Sequence, residues 1–161
     1  MTMNPRSRKP PADGALVLTE FVPYRLAVLA DLVSRALAQI YADRFDLTRH
    51  EWRVLAALAV HPSMLARDVA AYSALDKMSV SRAVATMEAK AYIVREDDPD
   101  DRRNKILRIT RSGRALHEKI VPLVRAREDY MLGALTNADR QAFDRILSAL
   151  TLRARELEER G

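Results

Sequence analysis

The chain has 161 residues and a formal net charge of +5, a length that fits a domain of ordinary size with its own buried core. It contains no cysteine, which excludes disulfides, thiolate metal sites and thiol redox sensing. Its three histidines, His50, His61 and His117, show none of the spacings of a zinc site, and no run approaches the roughly eighteen apolar residues of a membrane span.

Positions 1–18 read as a disordered basic arm. Arg6, Arg8 and Lys9 stand among Pro5, Pro10 and Pro11, without the apolar stretch of a signal peptide, so a cytoplasmic location is expected. The arm is either an unstructured terminus or a contact to DNA phosphates. Thr19 is then a candidate cap, and Pro23 suits a first helical turn. Leu26, Leu29, Ala30, Val33, Leu37, Ile40 and Tyr41 recur at helical spacing and predict a long helix over about 20–44.

Thr48 with Glu51 forms a capping-box pattern. The helix it opens carries Trp52, Leu55 and Leu58 on one face. Ser63 is read as the cap of a short helix with Leu65, Val69 and Tyr72 turned inward. Ser73-Ala74-Leu75 is a tight connection, and Asp76 caps a further helix to about Lys90 with Val80, Val84 and Met87 inward. The period then shifts from helical to alternating: Tyr92–Arg95 and Lys105–Ile109 read as two strands joined by a polar loop, a hairpin with a long tip. Thr110 caps a helix to about Leu132 with Pro122 inside it. Thr136 with Asp139 opens a last helix containing Phe143, Ile146, Leu147, Leu150 and Leu157. The expected fold is mostly α with a small β-hairpin wing. A winged helix-turn-helix lobe at 47–110 lies between the two parts of a long-helix dimerisation region, 19–46 and 111–161.

Two short helices separated by a tight turn have helix-turn-helix spacing, and in such motifs the second helix enters the major groove. The start of that helix offers Lys77, Ser79, Ser81 and Arg82. Arginine can read guanine O6 and N7 through two hydrogen bonds, and serine can meet a base edge or a phosphate. The hairpin tip brings Arg102 and Arg103, which a narrow minor groove attracts, with Asp101 placed to hold an arginine by a charge-assisted hydrogen bond. Each feature alone also fits an ordinary solvated surface; their order along the chain favours DNA.

Asp76-Lys77-Met78-Ser79-Val80-Ser81-Arg82 resembles the start of the recognition helix in the MarR family of bacterial regulators. Asp97-Asp98-Pro99-Asp100-Asp101-Arg102-Arg103, followed by Leu107-Arg108-Ile109-Thr110-Arg111-Ser112-Gly113, resembles that family's wing and the entry to its next helix. The resemblance implies a homodimer whose first and last helices interlock and whose two lobes grip a pseudo-palindromic duplex. It also implies transcription regulation, most often repression, released by a small aromatic acid or phenolic compound. Two positions depart from the family pattern: Ala91 stands where glycine is usual between recognition helix and wing, and Met87 where leucine is common. If the backbone at Ala91 requires positive φ, alanine costs about 1 kcal/mol.

An aromatic carboxylate needs an arginine for its charge and apolar rings around its body. The residues expected near the junction of lobe and dimer helices are Tyr24, Arg25, Arg35, Tyr41, His50, Trp52 and Tyr72. Each has a structural alternative: Tyr41 and Trp52 as core, His50 as a first-turn surface residue, Arg35 as a solvated or ion-paired side chain. No nucleophile–base set, phosphate loop or metal cluster is found, so neither catalysis nor a cofactor is expected. The alternatives to a ligand-released repressor are a ligand-independent or activating regulator and a winged-helix protein-interaction module.

Overall fold

The computed structural model describes residues 14–99, 101 and 104–160. The basic arm's Arg6, Arg8 and Lys9, and the wing arginines Arg102 and Arg103, lie outside the described residues. The elements in chain order are α1 (Val22–Phe45), α2 (Arg49–Val60), β1 (Ser63–Leu65), α3 (Ala66–Ser73), α4 (Lys77–Ala89), β2 (Ile93–Asp97), β3 (Lys105–Ile109), α5 (Arg111–Leu132) and α6 (Asn137–Arg160). The architecture is mostly helical with one small antiparallel sheet. No helix among the described residues is long and apolar enough to cross a membrane.

The chain divides into two compact units, residues 1–36 and 37–161. In the first, a turn at 18–20 leads into α1, which starts at Val22, beyond Thr19. Its apolar residues here stay open to solvent: Val22, Leu26, Leu29 and Leu32 are all exposed.

The second unit holds the core. Tyr41 and Leu47 meet Val54, Leu55 and Leu58 of α2, Val69 of α3, Val80, Val84 and Met87 of α4, Ile93 and Leu107 of the sheet, and Ile120 of α5. Each fully buried Leu, Ile, Val or Met contributes about 1.5–3 kcal/mol by leaving water. The helical periodicity of α2 and α4 turns the expected residues inward. The two capping boxes form as read. Thr48 N donates to Glu51 Oε2 at 2.7 Å and Glu51 N to Thr48 Oγ1 at 3.2 Å. Asp139 N donates to Thr136 Oγ1 at 3.2 Å, and the Thr136 hydroxyl to Asp139 Oδ2 at 2.6 Å.

Two local readings are corrected. Ser63 does not cap a helix: Ser63–Leu65 is a strand that pairs antiparallel with β3, Met64 opposite Leu107, making a three-stranded sheet in the order β1-β3-β2. α3 starts only at Ala66, after Leu65, with no side-chain cap. Three residues cannot announce a strand by periodicity, and the pairing partner lies some forty positions away in sequence. Tyr72 is not turned inward. It is more than half exposed on α3, its ring edge-on to His61 at 5.2 Å. The wing's first strand also starts and ends later than read, at Ile93–Asp97, with Ile93 opposite Ile109 and Asp97 opposite Lys105.

Three helices end on a non-glycine residue in the left-handed region: Asp46 (φ 50°), Ala74 (φ 50°) and Ala91 (φ 56°). After α4, Ala91 N donates to Glu88 O and Tyr92 N to Met87 O, both at 2.9 Å, the paired bonds of a Schellman termination. The positive φ that a glycine would supply at position 91 is therefore present, carried by alanine.

Candidate nucleic-acid interface

α4 is set by its cap. Asp76 accepts from Ser79 N at 2.8 Å and from the Ser79 hydroxyl at 2.6 Å. The Ser79 hydroxyl, followed by its amide, holds the Asp76 carboxyl below the usual carboxylate range. Asp76 is thus a fixed anion at neutral pH, engaged with its own helix. Ser79 spends its hydroxyl proton on this cap, which leaves its oxygen only as an acceptor.

The outward face of α4 follows from the inward one. With Val80, Ala83, Val84 and Met87 buried, the opposite stripe is Met78, Ser81, Arg82 and Ala85, spaced three, four and seven residues apart and exposed. Lys77 is exposed beside it. Of the cations on α4 and the wing, Lys90 pairs with Asp46 at 2.8 Å, Arg95 with Glu88 at 3.1 Å, Arg108 with Glu96 at 2.9 Å, and Lys105 with Asp97. Lys77 and Arg82 have no ion-pair partner among the described residues. Their charge is left for something outside the chain.

In the wing, Asp98 N donates to Asn104 O at 3.3 Å, and Asn104 N to Asp101 O at 2.8 Å. The Asn104 amide also reaches Asp101 Oδ2 at 3.2 Å. Asp101 is exposed, and these bonds tie together the two residues that flank Arg102 and Arg103.

A compact latch joins the exit of α4 to the entry of α5. The Thr110 hydroxyl lies 2.8 Å from Ala91 O and 3.0 Å from Tyr92 O, and Thr110 N donates to Tyr92 O at 3.0 Å. Thr110 Oγ1 accepts from Gly113 N at 3.0 Å, and the Ser112 hydroxyl donates to Ala91 O at 2.7 Å. A Cβ on Gly113 would fall inside the Tyr92 carbonyl oxygen and press on Ile109 at 3.0 Å. The Thr-x-x-Gly pattern is the chemistry of this junction: threonine caps α5, and the bare glycine lets the wing's backbone close on it.

The residues expected to hold a ligand are distributed as follows. On the first unit's stretch of α1, Tyr24 and Arg25 are exposed, and Arg35 pairs with Asp31 one turn earlier, both side chains well exposed. In the second unit Tyr41 is buried and stacks on Trp52, with ring centroids 6.1 Å apart; Trp52 stacks in turn on His117 at 5.6 Å. His50 is half-buried on the first turn of α2, and Tyr72 lies with His61 outside this column. Burial raises the Tyr41 phenol pKa against the pull of Arg49 and Arg53. Burial and then Arg114 lower that of His117, with Glu118 opposing, so His117 is neutral at pH 7. His117 was not legible as part of this site, because it arrives from α5, far along the chain. A separate cavity of about 300 Å³ lies beside the first half of α4, lined by the apolar Ala70, Val80, Val84 and Leu107 and by Arg67, Lys77, Ser81, Arg95 and Lys105.

Known proteins resemble this chain over the same elements. The model of the MarR family matches residues 45–104, from the end of α1 to the wing. The transcriptional repressor NicR of Pseudomonas putida is 28% identical over 107 residues, 66% of this chain and 68% of that protein. The transcriptional activatory protein BadR of Rhodopseudomonas palustris is 27% identical over 126 residues, 76% of this chain and 71% of that one. The solved structure of BpsR from Bordetella bronchiseptica, whose DNA binding is regulated by 6-hydroxynicotinic acid, superposes with a TM-score of 0.78 at 27% identity, covering 86% of this chain and 98% of BpsR. NicR and BadR are regulators of transcription. With helix order, wing and sequence in agreement, residues 45–104 match the MarR family of winged helix-turn-helix transcription regulators, and the fold around them is the one solved for a regulator of this kind.

Proposed function

We propose that the protein is a dimeric, sequence-specific double-stranded DNA-binding repressor released by a small aromatic acid. The observation that carries the DNA-binding reading is the pair Lys77 and Arg82, exposed at the start of α4 without ion-pair partners among the described residues while neighbouring cations are neutralised. In this reading Ser81 and Arg82 face base edges in the major groove, Lys77 takes a phosphate, and Ser79 accepts from the duplex while it caps the helix. Arg102 and Arg103 enter the minor groove with Asp101 beside them.

Dimerisation is supported by uncovered apolar stripes. Phe143, Ile146, Leu147 and Leu150 of α6 lie at helical spacing and are all exposed, as are Val22, Leu26 and Leu29 of α1. A contiguous exposed apolar face marks an interaction surface, and in a homodimer one such face serves both copies. Residues 19–46 and 111–161 form the dimerisation region, and 47–110 the lobe. Two lobes about 34–36 Å apart would meet successive major grooves on a pseudo-palindrome.

The effector class rests on the likeness to BpsR and on the cavity beside α4, whose apolar lining suits an aromatic ring. The likeness to BadR favours activation as the second reading; the position of the bound site relative to the promoter separates the two.

The test is a mobility shift on the duplex upstream of the protein's own gene, across a salt series, with and without 6-hydroxynicotinic acid and other aromatic acids. A tight shift that weakens steeply with salt and is abolished by one acid is expected. Salt-sensitive binding that no acid disturbs would leave a ligand-independent regulator. No shift there or on neighbouring promoters would overturn DNA binding in favour of a protein-interaction role.

A further inference from the structure

We propose that Met78 reads a thymine methyl group in the major groove and so helps set the sequence preference of this protein, an inference that rests on the DNA-binding reading above. Met78 is 61% exposed. The other large apolar side chains of α4, Val80, Val84 and Met87, are buried. The burial phase of the helix places Met78 at the centre of the outward stripe, in line with Ser81, Arg82 and Ala85. It is the one long apolar side chain on a face otherwise made of small and cationic groups.

The occupant of this face follows from its surroundings. Lys77 and Arg82, on either side of Met78, have no ion-pair partner among the described residues, which fits a polyanion better than a second apolar protein surface. On the base edges of a major groove the thymine C5-methyl is the apolar group to be recognised. Methionine suits this contact because it is unbranched, polarizable and able to adapt to a small protruding methyl. Ser79, the next residue, is held in the Asp76 cap, which leaves Lys77, Met78, Ser81 and Arg82 exposed near the helix start, Met78 the one apolar side chain among them. Met78 and Arg82 are four residues apart, about 6 Å along the helix. That separation corresponds to about two base steps, so the preferred half-site holds a thymine within about two positions of the guanine read by Arg82.

The experiment selects high-affinity sites from a randomised duplex library with the full-length protein, then replaces each thymine of the selected site singly by deoxyuridine, which removes only the methyl. Affinities are measured for the wild type and for Met78→Ala, with thermal melts to confirm that the exposed substitution leaves the fold intact. One thymine per half-site is expected whose replacement weakens wild-type binding about fourfold, the value of one buried methyl. The same replacement should leave Met78→Ala binding unchanged, with equal salt slopes for both proteins. An equal loss in both proteins, or no methyl-sensitive thymine in the wild type, overturns the assignment while DNA binding stands. A wild type that enriches no site and binds no duplex overturns the DNA-binding reading and this inference with it.

Discussion

Ala91 and Gly113 carry opposite backbone demands within one latch. Ala91 sits at φ 56°, where an L side chain crowds its own carbonyl at a cost of about 1 kcal/mol. Ala91→Gly should therefore raise stability by up to about 1 kcal/mol, read as a shift of the urea midpoint without a change in m-value; a lower midpoint would mean that the added freedom of the unfolded chain outweighs the relieved strain. Gly113→Ala should do the reverse. Its Cβ would meet the Tyr92 carbonyl oxygen, a backbone atom held by Thr110, so a loss of about 2–3 kcal/mol is expected. Chemical denaturation of the purified variant decides it, and a wild-type midpoint would show that the latch can open at no cost. At the same scale, Arg82→Ala should weaken binding to a selected site by roughly 1–3 kcal/mol and relax one base preference. Equal losses on selected and random duplexes would instead make Arg82 a phosphate contact.

Among the elements, the stacked column joins α1, α2 and α5 through Tyr41, Trp52 and His117. Burial, reinforced by Arg114, depresses the His117 pKa in the native state. The unfolded chain then takes up the proton first, so acid favours unfolding. The column's contribution is complete above the ordinary histidine value of 6.5 and is lost as pH falls below it. Thermal midpoints at pH 7.5 and 5.5 should show a larger drop for the wild type than for His117→Phe, which keeps a ring but cannot titrate. Equal drops would assign the acid sensitivity to other groups. The elements also show how far local patterns carry. The helical periods of α2 and α4, both capping boxes and the second wing strand were legible, because each rests on contacts within a few residues. β1 was not, since a three-residue strand exists only through its pairing with β3.

For the molecule as a whole, the apolar stripe on α6 is exposed, and the proposed dimer would cover it. Ile146→Glu with Leu150→Glu, at positions 57% and 43% exposed, should leave the lobe's core untouched and yield a monomer by light scattering. The same variant should bind a selected palindrome far more weakly than the wild type, because two half-sites would no longer be held together. A double variant that remains dimeric would remove α6 from the interface.

Sequence alone determined the order of the helices, the caps of α2, α4, α5 and α6, the wing and the family resemblance, all properties of short windows or of motifs with fixed spacing. It also placed Lys77, Ser79, Ser81 and Arg82 on one helix, α4. What it could not decide is which of them is free. Ser79 turned out to be engaged by Asp76, Lys90 and Arg95 are neutralised by Asp46 and Glu88, and Met78 stands exposed at the centre of the outward face. The Ser79 contact is local to its helix, but the pairing of Lys90 with Asp46 joins positions 44 apart in sequence. Packing brings those groups together, and only the tertiary structure shows which charges it has already satisfied.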